Sequence, residues 1–94
     1  MPYKLVFKAR AKKEWGKLSP TIREHFKKKL AERLEEPRIE QSRLNGMENC
    51  YKIRLRTAGY RLVYQVRDNE LVISVVAVGK RERNAVYKAA IKRT

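Results

Sequence analysis

The residues of this 94-residue chain best suited to chemistry are cations. Lys52, Arg54, Arg61, Arg81 and Arg83, with Tyr87 close behind, form a set that handles phosphate. Arginine forks bind phosphate oxygens bidentately and stabilise charge building on a phosphorane, and a tyrosine can stack on a base. Each residue also has a plainer reading. Tyr87 can be a helix residue packed on a sheet, and a basic run can be a solvated face. Arg81 and Arg83 can be the start of a basic helix, a placement that the helix dipole disfavours and that hints at another purpose.

The conventional catalytic sets are missing. His25 is the sole histidine and falls in a charged segment, so no two-histidine acid/base pair exists. After Cys50 the only acids are Asp68, Glu70 and Glu82, two of them in one turn, which makes a carboxylate metal site improbable. No phosphate-binding glycine loop and no Cys/His/Asp nucleophile arrangement is present. A single cysteine, Cys50, excludes an intramolecular disulfide and a Cys-rich zinc site, and a reducing cytosol fits best. No cofactor and no metal is expected.

The chain carries 24 Lys+Arg against 10 Asp+Glu, a formal net charge of +14. Between residues 51 and 67 stand Lys52, Arg54, Arg56, Arg61 and Arg67 without one acid, so the positive field there is not a mosaic of local ion pairs. Such a segment calls for an anionic partner. With 43% hydrophobic residues the chain has enough apolar mass to fold, and its length suits one domain. The longest mostly apolar stretch, residues 71–78, is far shorter than the roughly 20 residues of a membrane span, and no signal-peptide core opens the chain. An intracellular, cytoplasmic protein without membrane contact is expected.

These cations must be positioned by regular elements. Residues 3–7 read as an edge strand with Lys4 outward. A short helix over 10–18 places Ala11, Trp15 and Leu18 on one face. Ser19-Pro20 then starts a helix over 20–35, with Ile22, Phe26, Leu30 and Leu34 recurring every fourth residue before Pro37 ends it. Residues 36–49 read as a connecting loop. In 51–56 the period falls to two: Tyr51, Ile53 and Leu55 alternate with Lys52, Arg54 and Arg56. A turn at 57–59 leads to a strand over 60–66, with Leu62, Tyr64 and Val66 on one face and Arg61 on the other. Residues 71–78, apolar on both faces, suit a central strand. A short helix within 80–93 uses Val86, Ala90 and Ile91.

The order predicts an α+β fold: a small antiparallel sheet, made of the N-terminal strand and a three-stranded meander, with two N-terminal helices packed on one face and a short C-terminal helix. If Tyr51, Ile53 and Leu55 face those helices, Lys52, Arg54 and Arg56 line the other face, and the hairpin brings Arg61 to them.

The string CYKIRLRTAGYRLVYQV at 50–66, with VGKRERNAVY at 78–87, KEWGKL and LNGME, resembles the RelE toxins of bacterial toxin–antitoxin systems over essentially the whole chain. The resemblance implies one toxin domain over 1–94 whose basic face enters the ribosomal A site. It implies ribosome-dependent cleavage of the mRNA codon there, and neutralisation by an acidic RelB-type antitoxin. Operator DNA would be bound only through the toxin–antitoxin complex.

Carried over position by position, the resemblance assigns Lys52, Arg54, Arg61, Arg81 and Tyr87 to catalysis, and the neighbouring cations Arg56, Lys80 and Arg83 are expected as RNA contacts. A lysine can stand in the family pattern where this chain has Arg54. A guanidinium is a poorer base than an amine, so removal of a proton falls to Lys52 or stays open, while Arg54 positions and stabilises charge. The implied reaction is attack of the mRNA 2′-OH on the adjacent phosphate, leaving a cyclic phosphate and a 5′-OH, which requires no protein nucleophile. Arg61 and Arg81 would steady the phosphorane, and Tyr87 would stack on the nucleotide. Composition alone favours a non-catalytic RNA- or DNA-binding protein, such as a ribosome-associated factor, using the same basic face. A related toxin branch built on a Glu/His pair is disfavoured, since no histidine follows His25.

Overall fold

The structure, a computed structural model, describes residues 3–82 and 84–94. Strand β1 (Lys4–Phe7) leads into helix α1 (Ala9–Gly16) and helix α2 (Pro20–Glu35). After a 3₁₀ turn at Glu40–Ser42, strands β2 (Cys50–Leu55), β3 (Tyr60–Arg67) and β4 (Val72–Lys80) form a meander, and helix α3 (Ala85–Arg93) closes the chain.

Local chemistry sets these boundaries. The Ser19 hydroxyl accepts from the Ile22 N–H at 3.3 Å and Pro20 occupies the first turn, the arrangement expected of a capped helix start. Between β2 and β3 the chain reverses at Gly59, whose φ of 73° suits a residue without a side chain, and its N–H donates to the Leu55 carbonyl at 2.8 Å.

The sheet order is β1-β4-β3-β2. It is mixed rather than wholly antiparallel: β2, β3 and β4 alternate in direction, but β1 pairs parallel with β4, Leu5 opposite Ile73. The cause is the α1–α2 crossover. It returns the chain to the end where β1 began, so β2 runs as β1 does, and two hairpin reversals leave β4 running the same way.

Both faces are covered. Ala11, Leu18, Phe26 and Leu30 of the N-terminal segment pack on Tyr51, Ile53, Leu62, Tyr64, Ile73 and Val75, and Trp15 packs against Phe7 and Phe26. On the opposite face, Val86 and Ala90 of α3 cover Cys50, Val63, Val76 and Ala77. The expected C-terminal helix is therefore present, but it sits across the sheet from α1 and α2. Of its expected core residues, Ile91 points outward at 60% exposure. A bulge where the register shifts between Val63 and Tyr64 turns Val76 and Ala77 to the same side, beneath α3.

Beyond the end of β1, the free edge of β4 is closed by side chains. The Glu14 carboxylate accepts from the Val78 N–H at 3.2 Å, and Arg93 donates to the Val76 carbonyl at 2.9 Å. The same two side chains pair with each other at 2.9 and 3.0 Å. One ion pair thus satisfies an exposed strand edge and ties α1 to α3.

Candidate phosphate-binding cleft

The β2–β3 register builds the cationic face. Arg54 lies directly opposite Arg61, and Lys52 opposite Val63 two residues further along the same face. Arg61 in turn faces Gly79 on β4. At the open end of this hairpin, the Arg81 N–H donates to the Gly59 carbonyl at 2.8 Å, which brings the segment after β4 back beside the β2–β3 turn. Arg81 thus belongs to the connector before α3 and not to the helix's first turn.

The result is a cleft of about 280 Å³ lined by Arg54, Leu55, Arg56, Gly59, Tyr60, Arg61 and Arg81. Four arginines face it and no acid does. Among the described residues, none of these four arginines forms a salt bridge. Like charges directly opposed across a ladder are destabilising, so an acid-free cluster of this kind is an anion site in electrostatic terms.

Arg61 is the most constrained member. Its guanidinium carbon lies 5.0 Å from the centroid of the Tyr87 ring, a cation–π stack. One Nη donates to the Asn84 Oδ1 at 3.2 Å, while its Nε is enclosed without a partner. Tyr87, half-buried on α3, enters the site through this stack.

The remaining expected residues are dispersed around the cleft. Lys52 is half-buried on the cationic face but does not line the cleft. Lys80 lies opposite Tyr60 and borders shallow hollows shared with Glu14, away from the arginines. Arg83 falls outside the described residues. His25 is exposed on α2 and lines an adjoining hollow with Ile22 and with Arg54, Leu55 and Arg56, which also line the cleft. Among the described residues, no group of three or more His, Cys, Asp or Glu is placed to hold a metal ion, and no helix is long and apolar enough to cross a membrane.

Two supporting residues escaped the sequence reading. Arg33 donates to the Lys52 carbonyl at 3.2 Å, to the Tyr64 hydroxyl at 2.9 Å and to the Ser42 hydroxyl at 3.2 Å, fixing β2 at the position that carries Lys52. The Tyr64 hydroxyl in turn donates to the Pro37 carbonyl at 2.6 Å. Burial pushes the Tyr64 hydroxyl's pKa up despite the nearby guanidinium. Glu14 is the other. Both carried a signal: Glu14 is three residues after Ala11 and four before Leu18, and Arg33 is three after Leu30, so each is a charge at apolar-face spacing.

Fold and cleft together define a small basic α+β protein whose cleft holds four arginines unpaired with any acid among the described residues. A family model described as the ParE toxin of type II toxin–antitoxin system, parDE, matches residues 5–85. The chain is 60% identical over 93 residues to the mRNA interferase toxin RelE of Escherichia coli K12, covering 99% of this chain and 98% of that protein. The chain belongs to this ParE/RelE family of type II toxins. A double arginine-to-alanine mutant of E. coli RelE in the free state superimposes with a TM-score of 0.91 at 58% identity, covering 99% of this chain and 98% of that one. The same mutant bound to an antitoxin RelBc peptide matches at a TM-score of 0.84 and 57% identity, over 100% of this chain and 99% of the other.

Proposed function

We propose that the chain is an mRNA interferase: the toxin of a type II toxin–antitoxin pair, a cytoplasmic endoribonuclease that cuts mRNA codons in the ribosomal A site and is neutralised by an acidic RelB-type antitoxin. The observation that carries this reading is the acid-free cleft of Arg54, Arg56, Arg61 and Arg81, in a chain whose full length matches a named mRNA interferase. The structural relative bound to an antitoxin peptide supports the antitoxin as partner.

The chemistry follows from what the cleft offers. The mRNA 2′-OH attacks the neighbouring phosphate, so the nucleophile comes from the substrate. Lys52 assists loss of the 2′-OH proton. Arg54, Arg61 and Arg81 stabilise the dianionic phosphorane with preoriented donors, and Arg81 donates toward the departing 5′ oxygen. Tyr87 stacks on the nucleotide, and Arg56, Lys80 and Arg83 add backbone contacts. The ribosome supplies the bent mRNA that in-line attack requires. The entire chain, 1–94, acts as one toxin domain, and operator DNA is reached only through the antitoxin complex.

Mapping of mRNA ends on programmed ribosomes tests the proposal. Cuts within the A-site codon leaving 2′,3′-cyclic phosphate and 5′-OH termini are expected. Uncut message at saturating ribosome occupancy refutes it and leaves a non-catalytic RNA-binding protein.

A further inference from the structure

We infer that Asn84 is a positioning residue for Arg61, and through it for the cleavage step; the inference rests on the nuclease reading above. Three observations converge. The Asn84 Oδ1 accepts from an Arg61 Nη at 3.2 Å. Asn84 occupies the N-cap of α3, where an asparagine side chain ordinarily accepts from the helix's own first-turn N–H groups, yet it makes no capping bond. The carboxamide has been diverted from the helix to the arginine. Lastly, Asn84 has φ 61° and ψ 25°, a left-handed conformation that asparagine tolerates better than other side-chain-bearing residues. That backbone turn aims the side chain back over the sheet.

Arg61 needs such a partner. It sits opposite Arg54 and shares a cleft with Arg56 and Arg81, so repulsion drives it outward toward solvent. Its Nε is enclosed with no acceptor, which makes the inward position more costly still. The Tyr87 face at 5.0 Å offers attraction without direction. The Asn84 carbonyl adds direction: a neutral acceptor orients the guanidinium without cancelling the positive charge that the phosphorane requires. An acid there would hold Arg61 equally well and quench it.

The test uses Asn84→Gly, which tolerates the left-handed backbone without strain and removes the side chain with its carboxamide. The single-turnover rate on programmed ribosomes is expected to fall about tenfold, the scale of one lost charge-assisted hydrogen bond, with apparent affinity for the ribosome within twofold. In an Arg61→Ala background the same change is expected to have no further effect. A rate unchanged in the parent background, an equal loss in the Arg61→Ala background, or a matching loss of affinity overturns the inference. A readout independent of cleavage is the Arg61 side-chain N–H resonances. In the parent they are expected to be shifted by the Tyr87 ring and slow to exchange, and in Asn84→Gly to move toward free-arginine values. Identical spectra overturn the positioning role. If the parent cuts nothing, the nuclease reading fails while this spectrum still decides the contact.

Discussion

Replacing Glu14 by alanine should cost far more than an exposed charge on a short helix would suggest. Its side chain is 31% exposed and that of Arg93 is 15% exposed, so the pair is neither a surface bridge nor a fully buried one. Removal strands the Val78 N–H, at about 1–3 kcal/mol for an unpaired buried donor. It also leaves Arg93 with only the Val76 carbonyl. A fully buried pair broken on one side costs about 3–5 kcal/mol and an exposed one about 0–1, so about 1 kcal/mol is assigned here. Together these come to about 2–4 kcal/mol, or a fall in midpoint of about 10–30 °C for a domain this small. Glu14→Gln keeps an acceptor for Val78 and should lose about half as much. Urea unfolding followed by circular dichroism measures both. The pH dependence supplies a second check. Burial alone would raise the Glu14 pKa, but the bonds from Arg93 and the Val78 N–H, with Lys17 nearby, hold it below the usual carboxylate range. Since the folded chain then binds fewer protons than the unfolded one, this stabilisation is complete above the unfolded value of about 4.3 and fades as pH falls through the folded value. The gap between parent and Glu14→Ala should narrow accordingly below about pH 4. A difference under about 0.5 kcal/mol at pH 7, or a gap that does not narrow in acid, refutes the reasoning.

Arg61→Ala and Arg81→Ala should each lower the cleavage rate by about 10²–10³-fold, the usual effect of removing a donor to a developing oxyanion, with ribosome affinity reduced far less; single-turnover kinetics beside a binding assay separates the two. Arg54→Ala should raise stability by about 0.2–1 kcal/mol in urea titration, because it relieves a like-charge pair opposed across β2 and β3, while lowering activity. Tyr64→Phe should cost about 1–2 kcal/mol, since it leaves both Arg33 and the Pro37 carbonyl short of a partner, and thermal unfolding reads this directly.

Where a single period governed a segment, its element was legible. The switch from fourfold recurrence in α2 to strict alternation at Tyr51–Arg56 located both the helix and the cationic strand, and the register then delivered Arg54 opposite Arg61 as expected. The parallel pairing of β1 differs from the antiparallel expectation because the α1–α2 crossover gives β1 and β2 a common direction, a long-range consequence that the alternation within each strand does not carry. The placement of α3 was not legible. Val86 and Ala90 mark an apolar face, but nothing local says which side of the sheet receives it; that depends on the bulge that turns both Val76 and Ala77 to the face opposite α1 and α2. Long-range polar bonds such as Glu14 to Arg93 have no periodic signature beyond a charge at apolar spacing.

The position of α3 resolves a tension in the cationic face. A sheet face bearing Lys52, Arg54 and Arg61 cannot be left wholly to solvent, since the same face carries Cys50, Val63 and Ala77. Helix α3 divides it: Val86 and Ala90 bury the apolar half, and the connector before the helix, with Arg81 and Asn84, borders the charged half. Tyr87 stands at the boundary, its ring against Arg61. One helix therefore completes the second core and, with its N-cap, supplies the groups that contact Arg61, and the Glu14–Arg93 pair that ties α3 to α1 becomes part of that support. It follows that loosening α3 at its far end, by Arg93→Ala, should depress cleavage as well as stability although Arg93 touches no cleft residue. If stability falls while the single-turnover rate of the folded fraction stays at the parental value, α3 is a cover for the core and not a support for the cleft.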